Sequence, residues 1–233
     1  MWVCISLIAV AAIILVFYVI EKIRSYSIKA VLIKFVVSLL FVAVAVYSSY
    51  VNGGHPLSPF VIIGLLLGLS GDIWLDLKLV YPKDDKIYTY AGFIVFGLGH
   101  IFYVTGLFIQ YLNNAHVLYI IMPIIGALLC GFINLFLEKP LKLAFKDMKG
   151  VVFAYSILLF SLPLSCLSLL IANSWQPKAL IIFFVGGILF AVSDLVLSNT
   201  YFGKDHEKPI DFILNYLTYY SAQFVIAFSL FFI

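Results

Sequence analysis

Eight apolar stretches, each about as long as a membrane-crossing helix, follow one another along the chain at 2–20, 30–51, 58–78, 88–111, 115–137, 151–172, 178–199 and 211–232. A helix rises 1.5 Å per residue, so about 20 apolar residues cross the hydrocarbon core of a bilayer. Pro56, Pro59, Pro82, Pro140, Pro177 and Pro209 fall in or beside the connections, where helices start and stop. Pro123 and Pro163 lie inside stretches, a placement tolerated where neighbouring helices satisfy the freed carbonyls. The pattern predicts an all-α fold, a polytopic membrane helix bundle of about eight transmembrane helices forming one domain over 1–233. The first stretch lacks a basic leader and a small-residue cleavage site, so it reads as the first membrane helix.

Composition agrees with the pattern. Of 233 residues, 64% are hydrophobic and 11% charged, and the mean hydropathy is +1.15. A water-soluble domain carries roughly a quarter charged residues, so water is not the main solvent of this chain. Cys4, Cys130 and Cys166 all lie in apolar runs without a pairing pattern and read as small hydrophobes. The loops are short, which places any chemistry inside the bundle.

The net charge of +3 matters less than where the charges sit. Lys22, Arg24, Lys29 and Lys34 (just inside the next helix) mark the first loop, and Lys78, Lys83 and Lys86 the third. Lys139, Lys142, Lys146 and Lys149 mark the fifth, and Lys204 and Lys208 the seventh. Thirteen of 14 basic residues therefore lie on one side, with Lys178 alone on the other. By the positive-inside rule the odd loops are cytoplasmic, both termini are outside, and no nucleic-acid partner is implied. In a bacterium such a protein belongs in the cell membrane.

Polar groups at bilayer depth are the candidates for function. An aspartate at the centre of a span costs about 2.5–3.5 kcal/mol on insertion scales. Asp72 lies in the third stretch on one face with Gly64 and Gly68, and Asp194 in the seventh with Gly187, Ala191 and Ser198. Both fall one to two turns from the cytoplasmic end. His100 lies mid-way along the fourth stretch with Tyr103 a turn further on. Tyr216, Tyr219, Tyr220 and Gln223 form a stripe in the eighth, and Tyr155 and Ser161 mark the sixth. The plain alternative for a lone His, Tyr or Ser is an interhelical hydrogen bond. Asp76, one turn below Asp72, reads as a snorkelling or solvated group, and His55, His116 and His206 as ordinary surface residues. Residues 65–75 and 187–197 align at an offset of 122, setting Asp72 on Asp194 and suggesting that helices 1–4 and 5–8 are a parallel duplication.

Two carboxylates at one depth suit acid catalysis in a dry cavity, one protonated as general acid and the other an anion. That division of labour serves reactions with oxocarbenium-like transition states. A nucleophilic-serine elbow, a His-Glu-x-x-His zinc motif and phosphate-cradling glycine loops are all missing from the sequence. The same Asp and His residues also suit a proton-coupled membrane transporter.

The residues Gly71-Asp72, Gly92-x-x-x-Phe96-x-x-Gly99-His100-x-x-Tyr103, Tyr155, Leu189-Phe-x-x-Ser193-Asp194-x-x-Leu197-x-Asn199-x-x-Phe202 and Tyr219-Tyr220-x-Ala222-Gln223 occur in order over roughly 60–230. In this set the chain resembles the YhhN-like lysoplasmalogenase family of eight-span membrane proteins. The resemblance implies hydrolysis of the vinyl ether bond of lysoplasmalogens. The products are a fatty aldehyde and glycerophosphocholine or glycerophosphoethanolamine, and no metal or organic cofactor is implied. Asp72, Asp194 and His100 are then the expected catalytic residues. Tyr103, Tyr155, Ser193, Asn199, Tyr219, Tyr220 and Gln223 are expected to bind or orient. The implied partners are a lysophospholipid substrate and membrane lipid, with Lys78, Lys204 or Lys208 near the phosphate. Asp76 has no place in the pattern.

Overall fold

The computed structural model describes residues 1–112, 116–203 and 209–233, and of Pro209 only the backbone. Lys204, His206 and Lys208, named above, lie outside the described residues. The chain forms α1 (Trp2–Arg24), α2 (Ile28–Val51), α3 (Ser58–Val80), α4 (Asp85–Tyr111), α5 (Leu118–Leu137), α6 (Lys149–Ala172), α7 (Lys178–Phe202) and α8 (Pro209–Ser229), joined by short connections.

Every predicted stretch is a helix, and most differences lie at the lysine-rich end. There α1 runs on to Arg24 and α3 to Val80, α4 begins at Asp85, and α7 reaches Phe202. Charge ends an apolar run without ending a helix, because Lys and Arg are good helix formers whose long stems keep their heads near water. Among the described residues seven helices, α1 to α7, are long and apolar enough to cross a membrane. The predicted eighth span, α8, has 21 residues but carries Asp211, Asn215, Tyr216, Tyr219, Tyr220 and Gln223, and is not among them.

Six helices close a ring in the order α2, α3, α4, α6, α7, α8 and back to α2, while α1 packs on α2 and α5 on α6 from outside. The two outer helices are the least covered. Only 17% of the central stretch of α1 and of α5 is buried, against 39–50% in the other spans. Advancing each helix number by four carries the α1–α2, α2–α3, α3–α4 and α4–α6 contacts onto α5–α6, α6–α7, α7–α8 and α8–α2. This is the contact pattern expected of a parallel duplication.

Lipid tails are as apolar as leucine, so helices in a membrane associate through close packing and polar contacts rather than hydrophobicity. Accordingly Trp2, Phe17, Met122 and Phe136 remain exposed on the rim, while Ser38, Asp72, His100 and Gln223 are buried within. The glycines of α3 make the inner packing possible. A Cβ at Gly64 would overlap the Tyr103 ring, and one at Gly71 the Phe96 ring. The small-residue face of Asp72 thus receives side chains from α4 as well as a neighbouring backbone.

At the lysine-rich end the α5–α6 connection folds over the end of α7. The Ala144 N–H donates to the Phe202 carbonyl at 2.8 Å, and the fully buried Phe145 meets the Phe202 ring edge-on at 5.1 Å. Lys86 on α4 pairs with Asp147, and Lys149 with Glu138 at 2.7 Å.

Candidate functional site

Asp72 lies eight residues before α3 ends at Val80, and Asp194 eight before α7 ends at Phe202. Both therefore stand ~12 Å from the lysine-rich end. They border one cavity that is partly open to its surroundings. Its charged wall holds Lys34, Asp72 and Asp76. Phe93, Phe96, Leu159 and Phe160 supply apolar lining, and Tyr201 and Phe202 stand at the end of α7.

The two carboxylates have unlike partners. Asp72 is 2% exposed. Its Oδ2 accepts from Ser38 Oγ at 2.5 Å and from the Tyr219 hydroxyl at 3.0 Å, and its Oδ1 lies 3.3 Å from the Lys34 ammonium. Asp194 is only half-buried. Its Oδ2 accepts a hydrogen bond from the Tyr155 hydroxyl, and Ser193 Oγ lies 3.3 Å from Oδ1. Among the described residues no cation pairs with Asp194.

The hydroxyls around Asp72 form two donor chains. Tyr103 OH donates to Gln223 Oε1 over 3.5 Å, Gln223 Nε2 to the Tyr219 oxygen at 2.8 Å, and Tyr219 to Asp72. Because Ser38 has one proton and gives it to Asp72, the 3.1 Å contact between Ser38 and Tyr220 requires Tyr220 to be the donor. Each donor points inward toward a carboxylate, the arrangement that favours an anion there. Gly68 leaves room for this chain, since a Cβ there would meet Gln223 Nε2 at 2.7 Å.

Asp76 corrects the sequence reading. Instead of snorkelling it is 5% exposed. Lys22 lies 2.7 Å and Lys34 3.3 Å from its Oδ1, and Tyr18 OH donates to Oδ2 at 2.7 Å. Lys22, read as a loop charge, and Lys34, read just inside the second helix, are helix residues 8% and 5% exposed. Two lysines and two aspartates thus form a neutral cluster, because a buried charge is held cheaply only beside its opposite. The sequence carried a signal for it. Tyr18 and Lys22, Lys34 and Ser38, and Asp72 and Asp76 are each spaced i, i+4, which sets each pair on one helix face.

Other expected residues divide. Tyr155 and Tyr219 touch the carboxylates, while Tyr220 and Gln223 act at one remove and Tyr103 at two. Ser193 gives its main hydrogen bond to the Phe190 carbonyl at 2.7 Å, and its own carbonyl accepts from Asn215 at 2.8 Å. Asn199 is exposed and turns toward Asp211 at 3.5 Å, so it does not belong to the site. Ser161 caps the Leu158 carbonyl at 2.6 Å. His100 is 1% exposed and neither ring nitrogen has a hydrogen-bond partner. Its ring packs 4.7 Å from Phe190 and 6.2 Å from both Tyr103 and Tyr155, so it meets Asp194 only through Tyr155.

A ring of apolar helices around buried carboxylates defines a multi-pass membrane protein with a polar centre inside its helical bundle. More particularly, the model of the YhhN family matches residues 29–230, and the chain belongs to that family. Lys34, Ser38, Asp72, Asp76 and Asp194 fall within the match, whereas Tyr18 and Lys22 precede it. No curated protein and no solved structure matches the chain.

Proposed function

We infer that this chain is a lysoplasmalogenase-type hydrolase, an ether hydrolase acting on alkenyl ether lysophospholipids. The supporting observation is that two carboxylates of opposite character border one cavity. Asp72 sits beside a lysine and two hydroxyl donors, Ser38 and Tyr219, while Asp194 has only neutral partners among the described residues. Asp194 is the general acid and Asp72 the anion.

The vinyl ether reacts at its outer alkenyl carbon. Asp194 delivers a proton there, and the positive charge develops on the carbon bonded to the ether oxygen, forming an oxocarbenium ion. Tyr155 occupies Oδ2 of Asp194, which leaves Oδ1 to carry that proton and keeps a donor in place for the anion left behind. Asp72 stabilises the cation and takes a proton from the attacking water. The resulting hemiacetal collapses to a fatty aldehyde and the glycerophospho-alcohol, with one water consumed and the proton restored.

The cavity suits such a substrate. Phe93, Phe96, Leu159 and Phe160 offer an apolar wall for the chain. Lys78, 3.5 Å above the ring of the cavity residue Tyr201, provides a cation toward the phosphate. With the basic loops cytoplasmic by the positive-inside rule, the site faces the inner leaflet.

The test is aldehyde release from lysoplasmenylethanolamine and lysoplasmenylcholine by the purified protein, with aldehyde and headgroup product appearing in equal amounts. Folded protein that yields no aldehyde, but carries a solute intact across a proteoliposome membrane, belongs to the transporter reading instead.

A further inference from the structure

Lys34 stands at the middle of the buried charge cluster. Its ammonium is 3.3 Å from Asp72 Oδ1 and 3.3 Å from Asp76 Oδ1, and it also borders the cavity. Lys22 does not border that cavity. It lies 2.7 Å from Asp76 and accompanies it along a small cleft between α1, α2 and α3. The four charges therefore run in line from α1 to the cavity: Lys22, Asp76, Lys34, Asp72. Asp76 borders the cavity as well, but among the described residues only Lys34 pairs with both Asp72 and Asp76.

A cluster serving only to join helices would have no need to meet the cavity. Here Asp76 keeps Lys22 and Tyr18 even without Lys34, whereas Lys34 is the sole cation paired with Asp72 among the described residues. We propose that Lys34 is a positioning residue that acts through Asp72, keeping that carboxylate anionic and aimed at the cavity, with the Asp76–Lys22 pair holding Lys34 in register. The proposal rests on the hydrolase reading for its catalytic consequence and on geometry alone for the pairing. It extends the site to α2, and through Lys22 to α1, which lies outside the matched family region.

The groups facing Asp72 are Lys34 and Ser38 from α2, Asp76 from α3 itself, Tyr219 and Tyr220 from α8, and Asp194 across the cavity on α7. His100 of α4 packs against Phe190, Tyr103 and Tyr155 instead. Lys34→Met therefore removes the one cation next to Asp72 and leaves its hydroxyl donors in place.

The experiment compares wild type, Lys34→Met, Lys34→Arg and Lys34→Met/Asp72→Asn in two assays. In the aldehyde assay Lys34→Met is expected to lower kcat roughly 100-fold with little change in KM. The low-pH limb of its activity profile should move to higher pH, and Lys34→Arg, which keeps the charge, should recover most of the turnover. In infrared spectra Lys34→Met should show a protonated-carboxyl band in addition to that of Asp194, and this second band should be absent from wild type and from Lys34→Met/Asp72→Asn. Should Lys34→Met fail to fold, Lys34→Met/Asp76→Asn, which keeps the cluster neutral, replaces it with the same expectations. Wild-type turnover and pH profile in the Met variant, or no new carboxyl band, would overturn the proposal and leave Lys34 a helix-joining residue. Wild type that releases no aldehyde would sink the hydrolase reading instead, while the infrared comparison still decides the Lys34–Asp72 pairing.

Discussion

The Tyr155 hydroxyl donates to Asp194 across the α6–α7 contact, and it is the one hydrogen bond from another helix that this carboxylate receives among the described residues. The Tyr155 ring itself is fixed by Phe93, with centroids 4.9 Å apart. Tyr155→Phe therefore removes the hydroxyl without emptying the site. Turnover is expected to fall at least about 10-fold, in line with ~1.5–3 kcal/mol for a hydrogen bond to a charged group, while the melting temperature in detergent hardly moves. Equal losses of both would mean that the tyrosine only braces the helices.

The neutrality of the Lys22–Asp76–Lys34–Asp72 cluster makes a prediction about stability alone. Asp76→Asn leaves two buried ammonium groups with one carboxylate, and breaking a buried pair from one side costs about 3–5 kcal/mol. Lys22→Met/Asp76→Asn removes opposite charges together and is expected to regain most of the lost melting temperature. Thermal unfolding of the single and double variants in one detergent checks this. A double variant no more stable than Asp76→Asn would contradict it.

Gly64 offers a packing test remote from the charges. A methyl group there overlaps the Tyr103 ring, and overpacking of this kind costs about 1–3 kcal/mol. Gly64→Ala is expected to lower the melting temperature, and adding Tyr103→Leu to recover part of it. Additive losses in the double variant would show that the contact is not the cause.

These residues also show what a single sequence reveals and what it hides. Asp72 and Asp194 stood out because each interrupts a long apolar run, and one carboxylate in hydrocarbon is dear enough to need a reason. The same logic missed Lys22, Lys34 and Asp76. Each lies within two turns of a helix end, where a charge normally reaches water by snorkelling, and only tertiary contact shows that these three reach one another instead. Asn199 failed in the opposite way. It sits in the motif that carries the resemblance, yet five residues past Asp194 it has turned onto the outer face of α7, toward Asp211. Helix number and order were readable because hydropathy sets them. The ring, with α1 and α5 outside it, was not, because a membrane helix does not write its neighbours into its own composition.

The assignment of roles to the two carboxylates separates Asp194→Asn from Asp72→Asn. Both are expected to lose at least about 100-fold in turnover. Asp72→Asn leaves both lysines to share Asp76, with Lys34 at 3.3 Å, so the fold persists but at a lowered melting temperature. Asp194→Asn disturbs no ion pair, and its melting temperature should match wild type. Size-exclusion profiles, melting curves and aldehyde release for both variants check the assignment. Loss of fold without a specific loss of turnover would favour a structural role for the pair.

The hydrolase account turns on carbon protonation by a side chain facing the cavity, and reaction in heavy water reads that step out. Protein turning over lysoplasmenylethanolamine in D2O should release fatty aldehyde with one deuterium on the carbon next to the carbonyl, as seen by mass spectrometry of the promptly trapped product. Aldehyde formed without that deuterium would contradict proton delivery to the alkenyl carbon, and no aldehyde from folded protein would contradict the hydrolase itself.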